Sequence, residues 1–273
     1  MTICPLSVQL YTFREAMAGD PAAVFSRLVE LGFVGVEPVC PTGMPEEFAL
    51  RNGYSEWTVG ATELKHILDA QGLVISSAHT ALPEAHNANA VLDEQELLGN
   101  DLLIIPALSV LPGGKFDDLD TLDTLKRAAD RFNNAASLAA DRRMRVGYHN
   151  HFWEWNGTIA DRTGWDVFWR YLEPSVVAEV DIYWAQVAGQ DPATVIAELG
   201  PRVQLAHVKD GPLIRGEPMT LLGTGKVDVS GALAAGEHLR WHVIEFDECA
   251  TDIFEAVGKS AAWLVDHGLS TAR

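Results

Sequence analysis

Eight short runs of apolar and β-branched residues punctuate the 273-residue chain, and their spacing restricts the possible folds more than any other feature. They are Leu6–Leu10, Phe33–Glu37, Leu73–Ala78, Asp101–Pro106, Arg145–His149, Val176–Asp181, Val203–His207 and Trp241–Phe246. Between them lie stretches whose apolar residues fall three and four apart, such as Pro21–Leu31, Ala61–Gln71, Leu119–Arg142, Pro192–Leu199 and Asp252–His267, the signature of amphipathic helices. Glycines follow several of these at Gly32, Gly72, Gly200 and Gly268, where helices commonly stop. Buried strands alternating with helices predict a parallel sheet, because parallel neighbours need crossover connections. Eight units over the chain give about 34 residues each, the repeat of a (β/α)8 TIM barrel. A doubly wound open sheet fits less well: no GxGxxG follows the first strand. No linker or low-complexity segment divides the chain, so the expectation is an α/β TIM barrel forming a single domain over residues 1–273.

Charge narrows the function. Twenty Lys and Arg against 38 Asp and Glu leave a net charge of −18, which repels phosphate backbones and anionic lipid headgroups; neither nucleic acid nor membrane is an expected partner. Cys4, Cys40 and Cys249 are far apart and lack CxxC spacing, against a disulfide framework or structural zinc. The N-terminal sequence lacks a basic start followed by a long apolar stretch, and no run approaches the roughly 20 residues of a membrane helix. A cytoplasmic location is expected, and homo-oligomerisation is left open.

In a TIM barrel the chemistry sits at the C-terminal ends of the strands. Those ends carry Gln9-Leu10-Tyr11, Glu37, His79, Pro106, His149-Asn150-His151, Asp181, His207-Val208-Lys209-Asp210 and Glu245. Separations of 32, 26 and 38 residues between His149, Asp181, His207 and Glu245 correspond to one barrel repeat apiece, so the four would face one cavity. Carboxylates and imidazole without thiolate suit Mn²⁺, Mg²⁺, Co²⁺ or Zn²⁺. Carboxylates ending apolar strands are costly to bury unless a cation or a hydrogen-bonded partner, here Lys209, meets them.

Gly35-Val36-Glu37, His149-Asn150-His151-Phe152-Trp153-Glu154-Trp155, Asp181-Ile182-Tyr183-Trp184-Ala185, His207-Val208-Lys209-Asp210 and Ile244-Glu245-Phe246-Asp247 together resemble the xylose-isomerase-like TIM barrels. Within these the chain is most similar to the sugar phosphate isomerase/epimerase group, and the likeness spans essentially its whole length. The resemblance implies a divalent metal, Mn²⁺ first, at the barrel mouth, with Asp181, His207 and Glu245 as ligands. The epimerases of the group carry Glu-Asn-His on the fifth strand, where this chain has His149-Asn150-His151. The branch with a His-Asn-His-x-x-Glu pattern implies Glu154 as fourth ligand, with His149 and Glu245 as acid/base groups. The implied reaction is isomerisation or epimerisation of a small polyhydroxylated carbonyl compound, a sugar or keto-sugar, through a metal-stabilised enediolate. Dehydratase or lyase chemistry on a keto-cyclitol or 3-keto-glycoside is the alternative, which the His149 substitution favours modestly. An apurinic-site endonuclease shares the fold but needs a basic groove, and a non-catalytic sugar-binding subunit is a further reading.

Substrate contacts are expected from Glu37, His79, His151, Lys209, Trp184 and Arg215. For Glu37 and His151 a supporting role behind the ligands is the stronger reading, for Arg215 that of a solvated loop residue, and His79 is equally readable as a polar residue of the barrel rim. Candidate lids are the segments Cys40–Trp57, Pro112–Lys115 and Gly211–Gly225.

Overall fold

The computed structural model describes residues 3–111, 113–116 and 118–273; Pro112 of the second candidate lid lies outside them. The expected alternation is present, and all barrel strands run parallel. The first stave is Cys4–Gln9, and the fourth to eighth are Leu102–Ile105, Arg145–His149, Val177–Asp181, Val203–Val208 and Trp241–Ile244. The second and third are each interrupted. Gly35–Glu37 resumes after Pro38 as Val39–Cys40, and Val74–Ile75 resumes after Ser76-Ser77 as Ala78–Thr80. Pro38 has no N–H to give to the ladder, but its carbonyl accepts from His79 N at 2.9 Å, so the pairing continues past the break. Val36 pairs with Ile75 and Val39 with His79; at the other edge Val8 pairs with Ile244, which closes the ring.

Helices pack outside. Pro21–Glu30 begins where Asp20 accepts from Ala23 N at 3.1 Å and Pro21 supplies a preset first turn. Ala61–Gln71 ends on Gly72, whose φ of +63° suits a residue without Cβ. Leu122–Ala140, Pro192–Leu199 and Ile253–Asp266 begin on Thr121, Asp191 and Asp252, each accepting from a main-chain N–H three residues on. Among the described residues no helix is long and apolar enough to cross a membrane.

Alternation along the staves sorts the barrel interior into two zones. Leu102, Ile104, Val177, Leu205 and Val243, closed by Trp241, fill the lower end. Gly147 belongs there: a Cβ on it would stand 2.6 Å from Ile104 Cδ1 and 2.8 Å from Val177 Cγ2. Two residues further along the same faces the side chains become polar: Val177 is followed inward by Glu179 and Asp181, Leu205 by His207 and Lys209, Val243 by Glu245 and Asp247. The apolar plug therefore sets the floor on which a polar chamber stands.

His242 alternates outward from this interior and is buried, with Nδ1 2.8 Å from Ser270 Oγ; burial pushes its pKa down to about 4. The unfolded chain, with an ordinary histidine near 6.5, takes the proton first. Stability contributed by neutral His242 is thus present above about pH 6.5 and lost as pH falls through 4. The loss is about 3 kcal/mol at most. Denaturant unfolding measured across that window should show a shallower pH slope for His242→Asn than for the unchanged protein; equal slopes would contradict this assignment.

Candidate active site

The polar chamber concentrates more charge than burial tolerates without strong compensation. Glu37, Glu179, Asp181, His207 and Lys209 are all essentially inaccessible, Glu245 is 5% exposed, and Asp247 stands above them at the rim. Lys209 Nζ lies 2.8 Å from Asp181 Oδ2, 2.5 Å from Glu245 Oε2 and 3.0 Å from Asp247 Oδ2. His207 bridges two layers: Nδ1 is 2.7 Å from Glu245 Oε2, while Nε2 is 2.8 Å from Glu37 Oε1 and 3.1 Å from Glu179 Oε2. Beside it, His79 Nε2 approaches Glu179 Oε2 at 3.1 Å and Glu37 Oε1 at 3.2 Å. Gln9 Nε2 donates to Glu37 Oε1 at 2.6 Å, and Ser77 donates to its other oxygen.

These contacts decide protonation. Burial disfavours the charged forms of His207 and Lys209, but the carboxylates outweigh it: Glu179, Glu245 and Glu37 hold His207 well above the usual histidine range, and Asp181, Asp247 and Glu245 do the same for Lys209. Burial likewise opposes ionisation of Glu245, yet Lys209 and His207 hold it well below the carboxylate range. Where compensation is thinner, burial wins. It lifts Asp181 to about 6 against the pull of Lys209 and His207, and it raises Glu37. It also pushes His149 and His151 well below 6.5, so both imidazoles are neutral.

The donor set fits a divalent cation. With Nε2–H directed at Glu37 and Glu179, the Nδ1 of His207 faces Glu245 as a bare lone pair unless a proton or a metal lies between them. Carboxylates holding the outer N–H of a ligating imidazole are the usual orienting partners of metal-bound histidine. His149, Asp181, His207 and Glu245 each offer one ligand atom, all within 4.8 Å of one another; His79, His149, Glu179 and His207 form a second such group. His149 Nδ1, His151 Nδ1 and Glu179 Oε1, all buried in this region, have no hydrogen-bond partner among the described residues.

The residues expected from the sequence fall into three places. Asp181, His207 and Glu245 converge, and His149 stands with them, its ring 4.4 Å from that of His207. Glu154 does not join them. The 3-10 turn Trp153–Trp155 directs it back toward its own stave, where Tyr148 Oη donates to it at 2.7 Å and His151 N at 2.9 Å. Burial raises this carboxyl to about 7. Glu37 is fully buried against His207 Nε2 and does not line the chamber's opening, and Lys209 faces carboxylates on three sides. His79 and His151 line the chamber's opening, whereas Trp184 donates its indole N–H to Asp247 at 3.1 Å and Arg215 lies over Phe152 outside the chamber.

Sequence reasoning missed Glu179, which sits inside a run read as a continuous buried strand. The signal was present: on a strand, residue 179 shares the inward face of 181. Asn150 was also passed over; its side chain donates to the carbonyl of Asp181 at 3.2 Å and accepts from Asp181 N at 2.9 Å, fixing the fifth stave to the sixth.

Above the chamber is a cavity of about 180 Å³ bounded by Tyr11, His79, His149, His151, Trp153, Glu245 and Asp247 below and by Phe48, Arg51, Asn52 and Tyr54 above. The upper residues come from the helices Glu46–Arg51 and Tyr54–Trp57 and the link between them, so the segment 40–57 does cover the mouth. The 211–225 loop does not line this cavity. It is held by Asp210, whose carboxylate accepts from the main-chain N–H groups of Gly211, Gly223, Gly225 and Val227 at 2.8–3.0 Å.

Residues 25–267 match the xylose isomerase-like TIM barrel family, and the chain belongs to it. Its fold is shared with a sugar phosphate isomerase/epimerase from Parabacteroides distasonis (23% identity over 97% of this chain and 94% of that one, TM-score 0.72). It is shared equally with a probable 3-DHS dehydratase from Bacillus anthracis (15% identity, 96% and 98% covered, TM-score 0.68) and with an L-ribulose 3-epimerase (14% identity, 98% and 95% covered, TM-score 0.66). No functionally curated protein matches the chain significantly in sequence.

Proposed function

We propose that this protein is a divalent-cation-dependent isomerase or epimerase of a small sugar or keto-sugar, working at the C-terminal mouth of the barrel. The observation that carries this reading is the convergence of His149, Asp181, His207 and Glu245 at the floor of a cavity of about 180 Å³. The similarity to an isomerase/epimerase and an L-ribulose 3-epimerase agrees with it. In this reading the four side chains hold the cation, with Mn²⁺ first among the candidates, and Glu154 instead fixes His151 through its main-chain N–H. A bound divalent cation would polarise a carbonyl and its neighbouring hydroxyl and so make the adjacent C–H more acidic.

The chain's own residues then move the proton. His151 lines the cavity as a neutral imidazole, its Nδ1 has no partner among the described residues, and its ring stacks on Trp153 at 4.1 Å. It can accept a proton from the substrate carbon at neutral pH and return it. Glu37 and Glu179 keep His207 oriented, and Lys209 balances Asp181, Glu245 and Asp247. Protonation on the opposite face by a second group inverts the centre; return to the adjacent carbon, with the hydroxyl proton passed to the former carbonyl oxygen, shifts the carbonyl. In an elimination His151, having taken the proton from the carbon next to the carbonyl, would pass it to the departing hydroxyl, which leaves as water, and the likeness to a probable dehydratase makes lyase chemistry the second reading.

The test is solvent exchange. With Mn²⁺ and a panel of keto-sugars and inososes in D₂O, NMR should show deuterium entering at a carbon next to the carbonyl, with the product identifying the reaction. His151→Ala should take up metal normally and exchange about 10²–10⁴-fold more slowly. Absence of exchange on every compound, or undiminished exchange in His151→Ala, would contradict the respective parts.

A further inference from the structure

A second, larger cleft of about 570 Å³ opens beside the active-site cavity, and Phe48, Arg51 and Phe116 line both. The two spaces therefore adjoin at Arg51. We propose that Arg51 receives an anionic group, a carboxylate or phosphate, at the end of the substrate remote from the reacting carbons. The proposal rests on the isomerase/epimerase reading and specifies the substrate class for that site.

Four observations support it. The guanidinium carbon lies 5.5 Å from the Phe48 ring centre and 5.7 Å from that of Phe116, so the group is held between two rings. Stacking of this kind orders the planar fork without using its N–H donors. Arg51 also lacks a carboxylate at ion-pair distance among the described residues, although Glu47 of the same helix lines the outer cleft. Arg14, Arg27, Arg127, Arg131, Arg142 and Arg145 are all paired with carboxylates. Other arginines, Arg215 over Phe152 among them, also lack such a partner among the described residues; what sets Arg51 apart is that it lines both the active-site cavity and the outer cleft. Ser109 lines the same cleft, and its hydroxyl is buried without a partner among the described residues. Finally, Glu245 and Asp247 at the inner end repel an anion there, so the charged end of a substrate is directed outward to Arg51. A planar fork recognises carboxylate and phosphate oxygens two at a time.

Calorimetric titration of the Mn²⁺-loaded full chain with D-glucose, D-glucuronate and D-glucose 6-phosphate tests this. The unchanged protein should bind at least one anionic probe more tightly than glucose, and the tighter of the two identifies the group. Arg51→Gln should weaken that anionic probe by about tenfold or more and leave glucose unchanged, while Arg51→Lys should fall between. Equal affinity for all three probes, or equal weakening of all three in Arg51→Gln, would overturn the proposal. Metal uptake measured on the same samples reports separately on the catalytic reading: its absence in the unchanged protein counts against that reading, whereas the comparison of Arg51→Gln with the unchanged protein separates Arg51 from Lys115, which lines the same cleft.

Discussion

Replacing Asp181 by asparagine is expected to remove metal binding and activity while leaving the fold intact. Asp181 does two jobs: Oδ1 accepts from Trp184 N at 2.8 Å and starts the helix Ile182–Val187, while Oδ2 faces Lys209 and the ligand group. Asparagine caps a helix about as well as aspartate, so the first function survives. Only the anionic donor is lost. Outer-shell substitutions at metal sites already cost about 10–100-fold in affinity or activity, so loss of a direct anionic ligand should cost more than about 100-fold. Metal content after gel filtration, read beside thermal unfolding, checks it: an unfolding temperature near that of the unchanged protein with no retained metal is the expected pair. Retention of stoichiometric metal by Asp181→Asn would contradict the assignment.

The second large effect is on stability. In the metal-free protein Lys209 is the main countercharge for Asp181, Glu245 and Asp247, and its ammonium is wholly buried. Lys209→Met keeps much of the side chain's volume but leaves those carboxylates uncompensated. Removing one partner of a buried ion pair costs about 3–5 kcal/mol, which in a chain of this size corresponds to roughly 6–10 °C in Tm. Because a divalent cation would supply the missing charge, adding Mn²⁺ should recover much of the loss. Differential scanning calorimetry with chelator and with Mn²⁺ measures both. An unchanged Tm in chelator would show that Lys209 does not carry this balance.

The barrel was legible because eight apolar runs at a regular interval admit few arrangements, and the strand-end rule then selected Asp181, His207 and Glu245. Features that depend on more than strand ends were harder to read. Glu179 is hidden in a run whose other members are apolar, and its role appears only when inward alternation is followed below the rim, where it meets His79 and His207. Glu154 was placed by motif. A short 3-10 turn, invisible to periodicity, carries its carboxylate to Tyr148 instead. The second stave was read as ending at Glu37; it resumes after Pro38 because the proline carbonyl still accepts from His79. The 40–57 segment read as a lid from its proline, glycine and glutamate content, yet that composition did not reveal two short helices or the position of Arg51 between aromatic rings.

The proposed reading puts one cation at the mouth, and anomalous diffraction from crystals grown with Mn²⁺ tests that most directly. The account expects a single strong peak within about 2.0–2.3 Å of His207 Nδ1 and of oxygens of Asp181 and Glu245, with His149 completing the protein ligands. A peak confined to the second group of His79, His149, Glu179 and His207, or none at the mouth at saturating Mn²⁺, would contradict it.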